Sequence, residues 1–116
     1  MTANTVSTHV LDTSVGAPAS GVHVALERIH DDGSAAQIAT GETDSDGRLR
    51  DLLDAGGSLG EGRYRLTFDT GRYFAGSQRD TFFPVVCVDF RIGSDAQNYH
   101  VPLLISPFGY STYRGS

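Results

Sequence analysis

Two histidines, an arginine and the last residues of the chain are the groups in this sequence best suited to catalysis near neutral pH. His9 lies near the start of the sequence, His100 lies near its end, and Arg48 follows a turn-forming segment at residues 44–47. A neutral imidazole can take a proton from water, and a guanidinium can stabilise an oxyanion. Taken alone, each could equally be structural: a hydrogen-bonded histidine, or a solvated arginine paired with Asp46.

The final segment of the sequence has the alternation of a β-strand. Residues 110–115 alternate in side-chain character, with Arg114 near their end. Terminal residues that nothing holds in place are usually poorly ordered and compositionally biased. We therefore expect Ser116 to occupy a defined position, and extension beyond it to impair function.

Both histidines fall in segments with the period-two alternation of strands. In residues 7–12, alternation places Ser7 and His9 on one face. In residues 99–106, it places His100 on the face opposite the apolar side chains Val101, Leu103 and Ile105. Burial among apolar neighbours would lower the pKa of His100 and keep it neutral, as a general base requires. Pro102 cannot donate to a β-ladder, so one side of this strand should be unpaired there.

The remaining patterns predict a single, mostly β domain over residues 1–116, built as an antiparallel sandwich or barrel. Further strands are predicted at residues 22–27, 63–69 and 85–92. Turn-forming residues separate the strands at 14–18, 31–34, 44–47 and 54–58. The one predicted helix covers residues 70–76, capped by Asp69 or Thr70.

Composition excludes several classes of partner and chemistry. The formal net charge of −5 disfavours nucleic acid and anionic membranes as partners, and no apolar run approaches the ~18 residues of a membrane span. All nine cationic side chains are arginine, so lysine bases and Schiff bases are excluded. The single cysteine, Cys87, and the absence of a readable secretory signal in residues 1–5 predict a cytoplasmic location.

No metal or cofactor is predicted. The four histidines lack the close spacing of zinc ligands, and His23 and His30 are expected to be surface residues. The glycine-rich residues 56–62 lack the GK[ST] sequence of a phosphate-binding loop. The serines lack the G-x-S-x-G arrangement of a nucleophilic elbow.

Three blocks of the sequence resemble the 5-hydroxyisourate hydrolases, the transthyretin-related enzymes of urate breakdown. The C-terminal block is YHVPLLISPFGYSTYRGS at 99–116, the N-terminal block begins with STHVLDT at 7–13 and continues through GAPA at 16–19, and the third is TDSDGR at 43–48. The blocks occur in order and span residues 7–116. Asn98 and Val85 depart from the family pattern, which often has a histidine and an acidic residue at these positions.

The resemblance implies a transthyretin-like (prealbumin-like) β-sandwich of two four-stranded sheets with one short helix after the fifth strand, assembled as a homotetramer around a central channel. It implies cofactor-free hydrolysis of the small molecule 5-hydroxyisourate to 2-oxo-4-hydroxy-4-carboxy-5-ureidoimidazoline (OHCU) by water. The implied catalytic residues are His9, Arg48 and His100, and the implied substrate-binding residues are Tyr113, Arg114, Gly115 and Ser116. Which histidine is the base, and whether Ser116 acts through its hydroxyl or its carboxylate, remains open.

Two other classes of function compete with hydrolysis. A transthyretin-like carrier would bind a hormone in the same channel without consuming it, because fold alone does not determine function. A β-sandwich interaction domain would pair its exposed edges with other proteins. The carrier is disfavoured by the lack of lysines that could meet an anionic ligand and by the presence of His9, Arg48 and His100. Turnover of 5-hydroxyisourate distinguishes the three classes.

Overall fold

Two β-sheets pack face to face in the computed structural model, which describes residues 4–50, 52, 59–94 and 97–116. The first sheet contains β1 (Thr5–Asp12), β2 (Ala17–Pro18), β5 (Arg48–Leu49), β8 (Asn98–Ser106) and β9 (Gly109–Thr112). The second contains β3 (His23–Ile29), β4 (Ala35–Glu42), β6 (Gly62–Phe68) and β7 (Val86–Ile92). The turn predicted at residues 54–58 lies outside the described residues.

The all-β sandwich and its one short helix are confirmed. The first sheet has five strands because two short strands share one edge of β1. The two-residue β2 pairs with the end of β1, and the equally short β5 pairs with its middle. Helix α1 (Thr70–Ala75) therefore follows the sixth strand in this numbering. Asp69 caps the helix, since its carboxylate accepts a hydrogen bond from the backbone N–H of Arg72 at 3.1 Å.

The core lies between the sheets and is formed by the alternating apolar residues of both. Val6 and Val10 of β1 and Leu103 of β8 meet Leu26 of β3 and Leu66 of β6, all of them almost fully buried. Burial of each such side chain contributes about 1.5–3 kcal/mol. This burial fixes which face of β1 and β8 points away from the core, because successive side chains of a strand point to opposite faces.

No helix among the described residues is long and apolar enough to cross a membrane.

Candidate functional site

Parallel pairing of β1 with β8 brings the two histidines from opposite ends of the chain to one surface. Ser7 lies opposite His100 in this ladder, and His9 lies opposite Pro102. Thr8 and Val10 of β1 are buried against the core, so Ser7, His9 and His100 lie on the outer face of the sheet. His9 and His100 are half-buried there. The faces predicted for both strands are confirmed.

The turn at residues 44–47 places Arg48 beside His9. The turn pattern predicted Arg48 at the rim of the sheet, and the family resemblance implied its closeness to His9. The carboxylate of Asp44 accepts hydrogen bonds from the backbone N–H groups of Asp46 at 2.9 Å and Arg48 at 3.0 Å. Gly47 has a φ of +76° and lies so close to β1 that a Cβ there would overlap the carbonyl oxygen of Val10. The chain can then pair with the free edge of β1, with Arg48 opposite His9.

The C-terminal segment is held against β8, with an interruption at Pro102. The regular β8–β9 ladder ends at the pair formed by Leu103 and Thr112. Beyond the interruption, one more backbone pair forms, in which Gly115 faces His100. The backbone N–H of Gly115 donates to the carbonyl of His100 at 2.9 Å. The predicted unpaired stretch at Pro102 is confirmed, and the backbone is held against β8 as far as Gly115, although the regular strand ends at Thr112.

These elements enclose a cleft of about 350 Å³ on the outer face of the first sheet. Arg48, His100 and Ser116 line it together with the neighbouring polar residues Ser7, Thr8, Arg50 and Asn98, whereas His9 lies beside the cleft and does not line it. His9 lies next to Arg48 in the ladder, and its Nε2 is 3.0 Å from the carbonyl oxygen of Asp46. The structure thus brings His9, Arg48, His100 and Ser116 together.

Arg50, Ser7 and Thr8 line this cleft although the sequence analysis did not select them as site residues. Arg50 could have been found, because residues two apart on an extended chain share a face and Arg50 is two residues beyond Arg48. Ser7 could have been found only with knowledge that β1 and β8 pair in parallel, since nothing local connects it with His100.

The cleft is locally cationic in a protein of negative net charge. Arg48 and Arg50 both line it, whereas the chain as a whole carries a formal charge of −5. Burial lowers the pKa of His100, and the nearby imidazole of His9 and guanidinium of Arg48 lower it further. The imidazole of His100 therefore stays neutral at pH values where an ordinary histidine would begin to take up a proton.

Exchange of Arg48 for glutamine should raise the pKa of His100. The change removes one of the cations that disfavour imidazolium, but burial, the larger cause, remains, so the pKa should move only part of the way to its ordinary value of 6.5. Titration of the His100 ring by heteronuclear NMR measures the shift. An unchanged or lowered pKa in Arg48→Gln would contradict the proximity of these two groups.

Tyr113 and Arg114 face a different cleft from the one that contains Arg48 and Ser116. They line a space of about 280 Å³ together with Tyr99 and residues 88–91 of β7. The guanidinium of Arg114 lies over the Tyr99 ring at 5.3 Å and donates to Oε1 of Gln97 at 3.1 Å. Within one chain, Tyr113 and Arg114 therefore line one cleft and Ser116 the other, Gly115 lines neither, and His100 lines both.

The other two histidines lie on the second sheet, where His23 begins β3 and the exposed His30 follows it. Within the described ranges, no group of three or more histidine, cysteine, aspartate or glutamate side chains is arranged to hold a metal ion.

Comparison with known proteins identifies the family. Residues 6–115 match the model of the HIUase/Transthyretin family. The chain is 49% identical over 113 residues to a 5-hydroxyisourate hydrolase of Salmonella dublin, covering 97% of this chain and 82% of that protein. The solved 5-hydroxyisourate hydrolase of Klebsiella pneumoniae superimposes with a TM-score of 0.84 at 41% identity, covering 97% of this chain and 94% of that one.

A solved transthyretin has the same fold. Sea bream transthyretin in complex with thyroxine superimposes with a TM-score of 0.87 at 32% identity, covering 95% of this chain and 93% of that one. Taken with the match over residues 6–115, these similarities extend over nearly the whole chain. The chain belongs to the HIUase/Transthyretin family.

Proposed function

We propose that this chain hydrolyses 5-hydroxyisourate to OHCU in urate degradation. The observation that carries the proposal is the cleft lined by Arg48 and His100, with His9 opposite Arg48 in the neighbouring ladder, in a chain 49% identical to a protein named 5-hydroxyisourate hydrolase. In the reaction, water adds to the carbonyl carbon of a cyclic amide, the C–N bond breaks, and the ring nitrogen takes up a proton. The product is the ring-opened carboxylate.

The residues of the cleft fit the two demands of this reaction. A neutral imidazole of His9 or His100 takes a proton from the attacking water, and general-base assistance of this kind is worth roughly 10²–10⁴ in rate. The guanidinium of Arg48 polarises the substrate carbonyl and stabilises the developing oxyanion. The cationic lining favours an electron-rich, purine-like ring, and Ser116 lies where it can bind that ring or orient His100.

We propose that the working form is a homotetramer. The edge strands are β4 and β7 in the second sheet, and β9 together with the short β2 and β5 in the first. Large apolar side chains near β7 and β9 are exposed: Phe82, Val85, Phe108, Tyr110 and Tyr113. Exposed strand edges and apolar surface favour association between copies. A substrate-binding role for Tyr113 and Arg114 depends on this assembly, because within one chain they face the other cleft.

Light scattering after size-exclusion chromatography tests the assembly. A tetramer is expected. A stable monomer with full activity would contradict a site that depends on association.

The function is tested by mixing purified protein with 5-hydroxyisourate freshly made from urate and urate oxidase. The proposal predicts an absorbance decay much faster than spontaneous hydrolysis, with OHCU as the first product. Thyroxine serves as the comparison ligand, since sea bream transthyretin was solved in complex with it. Thyroxine binding without turnover would replace the hydrolase proposal with a carrier.

Alanine at Gly115 should abolish much of this turnover while leaving every proposed catalytic side chain chemically unchanged. A Cβ at this position would overlap Cδ2 of the His100 ring, so the ring or the C-terminal segment has to move. Misplacement of a catalytic group by about 1 Å costs up to ~10² in rate. Steady-state kinetics of Gly115→Ala measures the loss.

Gly109→Ala is the matched control. A Cβ on Gly109 would be 3.6 Å from Oγ of Ser106, an ordinary contact, so turnover close to wild type is expected. Equal rates for Gly115→Ala and wild type would show that the position of His100 does not limit the reaction.

A further inference from the structure

A chain of side-chain hydrogen bonds leads from Thr5 to the imidazole of His100. Thr5 Oγ1 donates to Oδ1 of Asn98 at 2.7 Å, and Nδ2 of Asn98 donates to Oγ of Ser7 at 3.3 Å. Ser7 Oγ is in turn 2.9 Å from Nδ1 of His100. The parallel register aligns these groups, because Thr5 faces Asn98 and Ser7 faces His100 in the β1–β8 ladder.

The direction of each bond follows from the orientation of the Asn98 amide, with Oδ1 toward Thr5 and Nδ2 toward Ser7. The threonine hydroxyl donates to the amide oxygen of Asn98, so the amide nitrogen faces Ser7, and an amide nitrogen can only donate. Ser7 therefore accepts from Asn98 and keeps its own hydrogen to donate. Ser7 is only 8% exposed, and among the described residues its hydroxyl has no hydrogen-bond partner other than Asn98 and Nδ1 of His100. A buried hydroxyl without an acceptor is costly, which favours donation to Nδ1.

We propose that Ser7, oriented by Asn98, is a positioning residue that fixes neutral His100 as the tautomer protonated on Nε2. In this tautomer Nδ1 accepts from Ser7, and the second ring nitrogen is a hydrogen-bond donor. His100 is then the electrophilic partner of Arg48 and not the base. It donates a hydrogen bond to the developing oxyanion and transfers no proton.

The hydrogen bond of His9 assigns that histidine a different role, that of the base. Nε2 of His9 lies 3.0 Å from the carbonyl oxygen of Asp46, and a carbonyl oxygen can only accept. Nε2 of neutral His9 therefore carries the proton, and Nδ1 is left unprotonated. This division of roles, which rests on the proposed function, makes His9 the base: its Nδ1 takes a proton from water as the oxygen adds to the carbonyl carbon. His9 then returns that proton to the ring nitrogen as the C–N bond breaks.

The low affinity of His100 for a proton agrees with a donor that works in its neutral form. Burial, with the nearby His9 and Arg48, lowers its pKa, which favours the neutral ring when substrate binds. A neutral imidazole can stabilise an oxyanion by hydrogen bonding when its tautomer is fixed by the protein.

Nitrogen NMR of ¹⁵N-histidine-labelled protein tests the tautomer without any substrate, with the spectrum of His100→Gln used for assignment. At a pH where His100 is neutral, Nε2 should show the shift of a protonated ring nitrogen and Nδ1 that of an unprotonated one. The reverse pattern in the wild-type protein would overturn the proposal, whatever the activity.

Asn98→Asp provides the sharpest variant, because a carboxylate can only accept. Ser7 must then donate to residue 98 and accept from His100, so the tautomer should reverse to the form protonated on Nδ1. With the donor at Nε2 lost, turnover should fall by about 10²-fold, comparable to removal of one oxyanion donor. If His100 keeps the wild-type tautomer in Asn98→Asp, the proposed direction of the hydrogen bonds from Asn98 through Ser7 to His100 is overturned.

Two further variants separate positioning from folding. Ser7→Thr retains the hydroxyl and should keep both the wild-type tautomer and most of the activity. Ser7→Ala should give a mixture of tautomers and an intermediate rate. Ser34→Ala is the matched control, because it removes a hydroxyl that donates to Asp32 at 2.6 Å in the exposed turn after β3 and should change neither readout. If the wild-type protein fails to turn over 5-hydroxyisourate, the proposed function and the division of roles fall, while the NMR result still decides the tautomer.

Discussion

Replacement of Arg48 by alanine is expected to lower kcat/KM for 5-hydroxyisourate by about 10²–10³, the cost of losing one oxyanion-stabilising group. The side chain is half-buried at the cleft, and in the described part of the chain its guanidinium forms no ion pair. The acidic turn beside it is otherwise engaged, because Asp44 accepts from the backbone N–H of Arg48 and not from the guanidinium. The charge is therefore available to the substrate.

Two variants sharpen this test. Arg48→Lys keeps the charge but loses the planar fork of donors, so it should recover only part of the rate. Arg72→Ala, which removes an exposed guanidinium from helix α1, is the matched control and should behave as wild type. Unchanged kinetics in Arg48→Ala would remove Arg48 from the mechanism.

Replacement of Asp12 by alanine is expected to destabilise the fold by about 3–5 kcal/mol, the cost of breaking a buried ion pair. The carboxylate is fully buried and accepts from Tyr73 Oη and from Arg79 Nη2, each at 2.8 Å, and also from the hydroxyl of Ser14. Its removal takes the acceptor from the hydroxyl of Tyr73 and the carboxylate partner from Nη2 of Arg79. Urea unfolding followed by circular dichroism measures the change.

The contribution of Asp12 should depend on pH. Burial raises its pKa, but the hydrogen bonds from Ser14, Arg79 and Tyr73 outweigh burial, and the net pKa lies below its ordinary 3.8. Because the folded state holds the carboxylate ionised more strongly than the unfolded chain does, the stabilisation is present above pH 3.8 and is lost as pH falls through the folded-state pKa. The difference in stability between wild type and Asp12→Ala should therefore narrow in acid.

A matched carboxylate at the surface controls for loss of charge. Asp32 accepts from Ser34 in the exposed turn after β3, and Asp32→Asn should unfold at nearly the wild-type urea concentration. Equal midpoints for Asp12→Ala and Asp32→Asn would show that the buried cluster does not stabilise the fold.

Local features of the site could be predicted from the sequence. The alternation around His9 and His100 predicted the correct outer face, the acidic turn predicted Arg48 at the rim of the sheet, and Pro102 predicted the interruption beside β9. These predictions depend on the alternation of side chains along a strand or on the missing N–H of proline. Both effects act over only a few residues of sequence.

The closeness of the site residues in space could not be derived from the sequence pattern alone. His9 and His100 are neighbours because β1 pairs in parallel with a strand some ninety residues later in the chain, and only the family resemblance implied that closeness. For the same reason, the hydrogen-bond chain through Ser7 and Asn98 was not foreseen. Tyr113 and Arg114 line a different cleft from Ser116, and this separation also depends on tertiary structure. The ladder is unpaired between Thr112 and Gly115.

The most direct test of the account compares wild type with a triple variant carrying alanine at His9, Arg48 and His100, at equal concentration, in the decay of freshly made 5-hydroxyisourate. Circular dichroism of both proteins verifies the fold. The proposed mechanism predicts rapid decay with wild type and a rate close to spontaneous hydrolysis with the variant. A folded triple variant that consumes 5-hydroxyisourate as fast as wild type would contradict it.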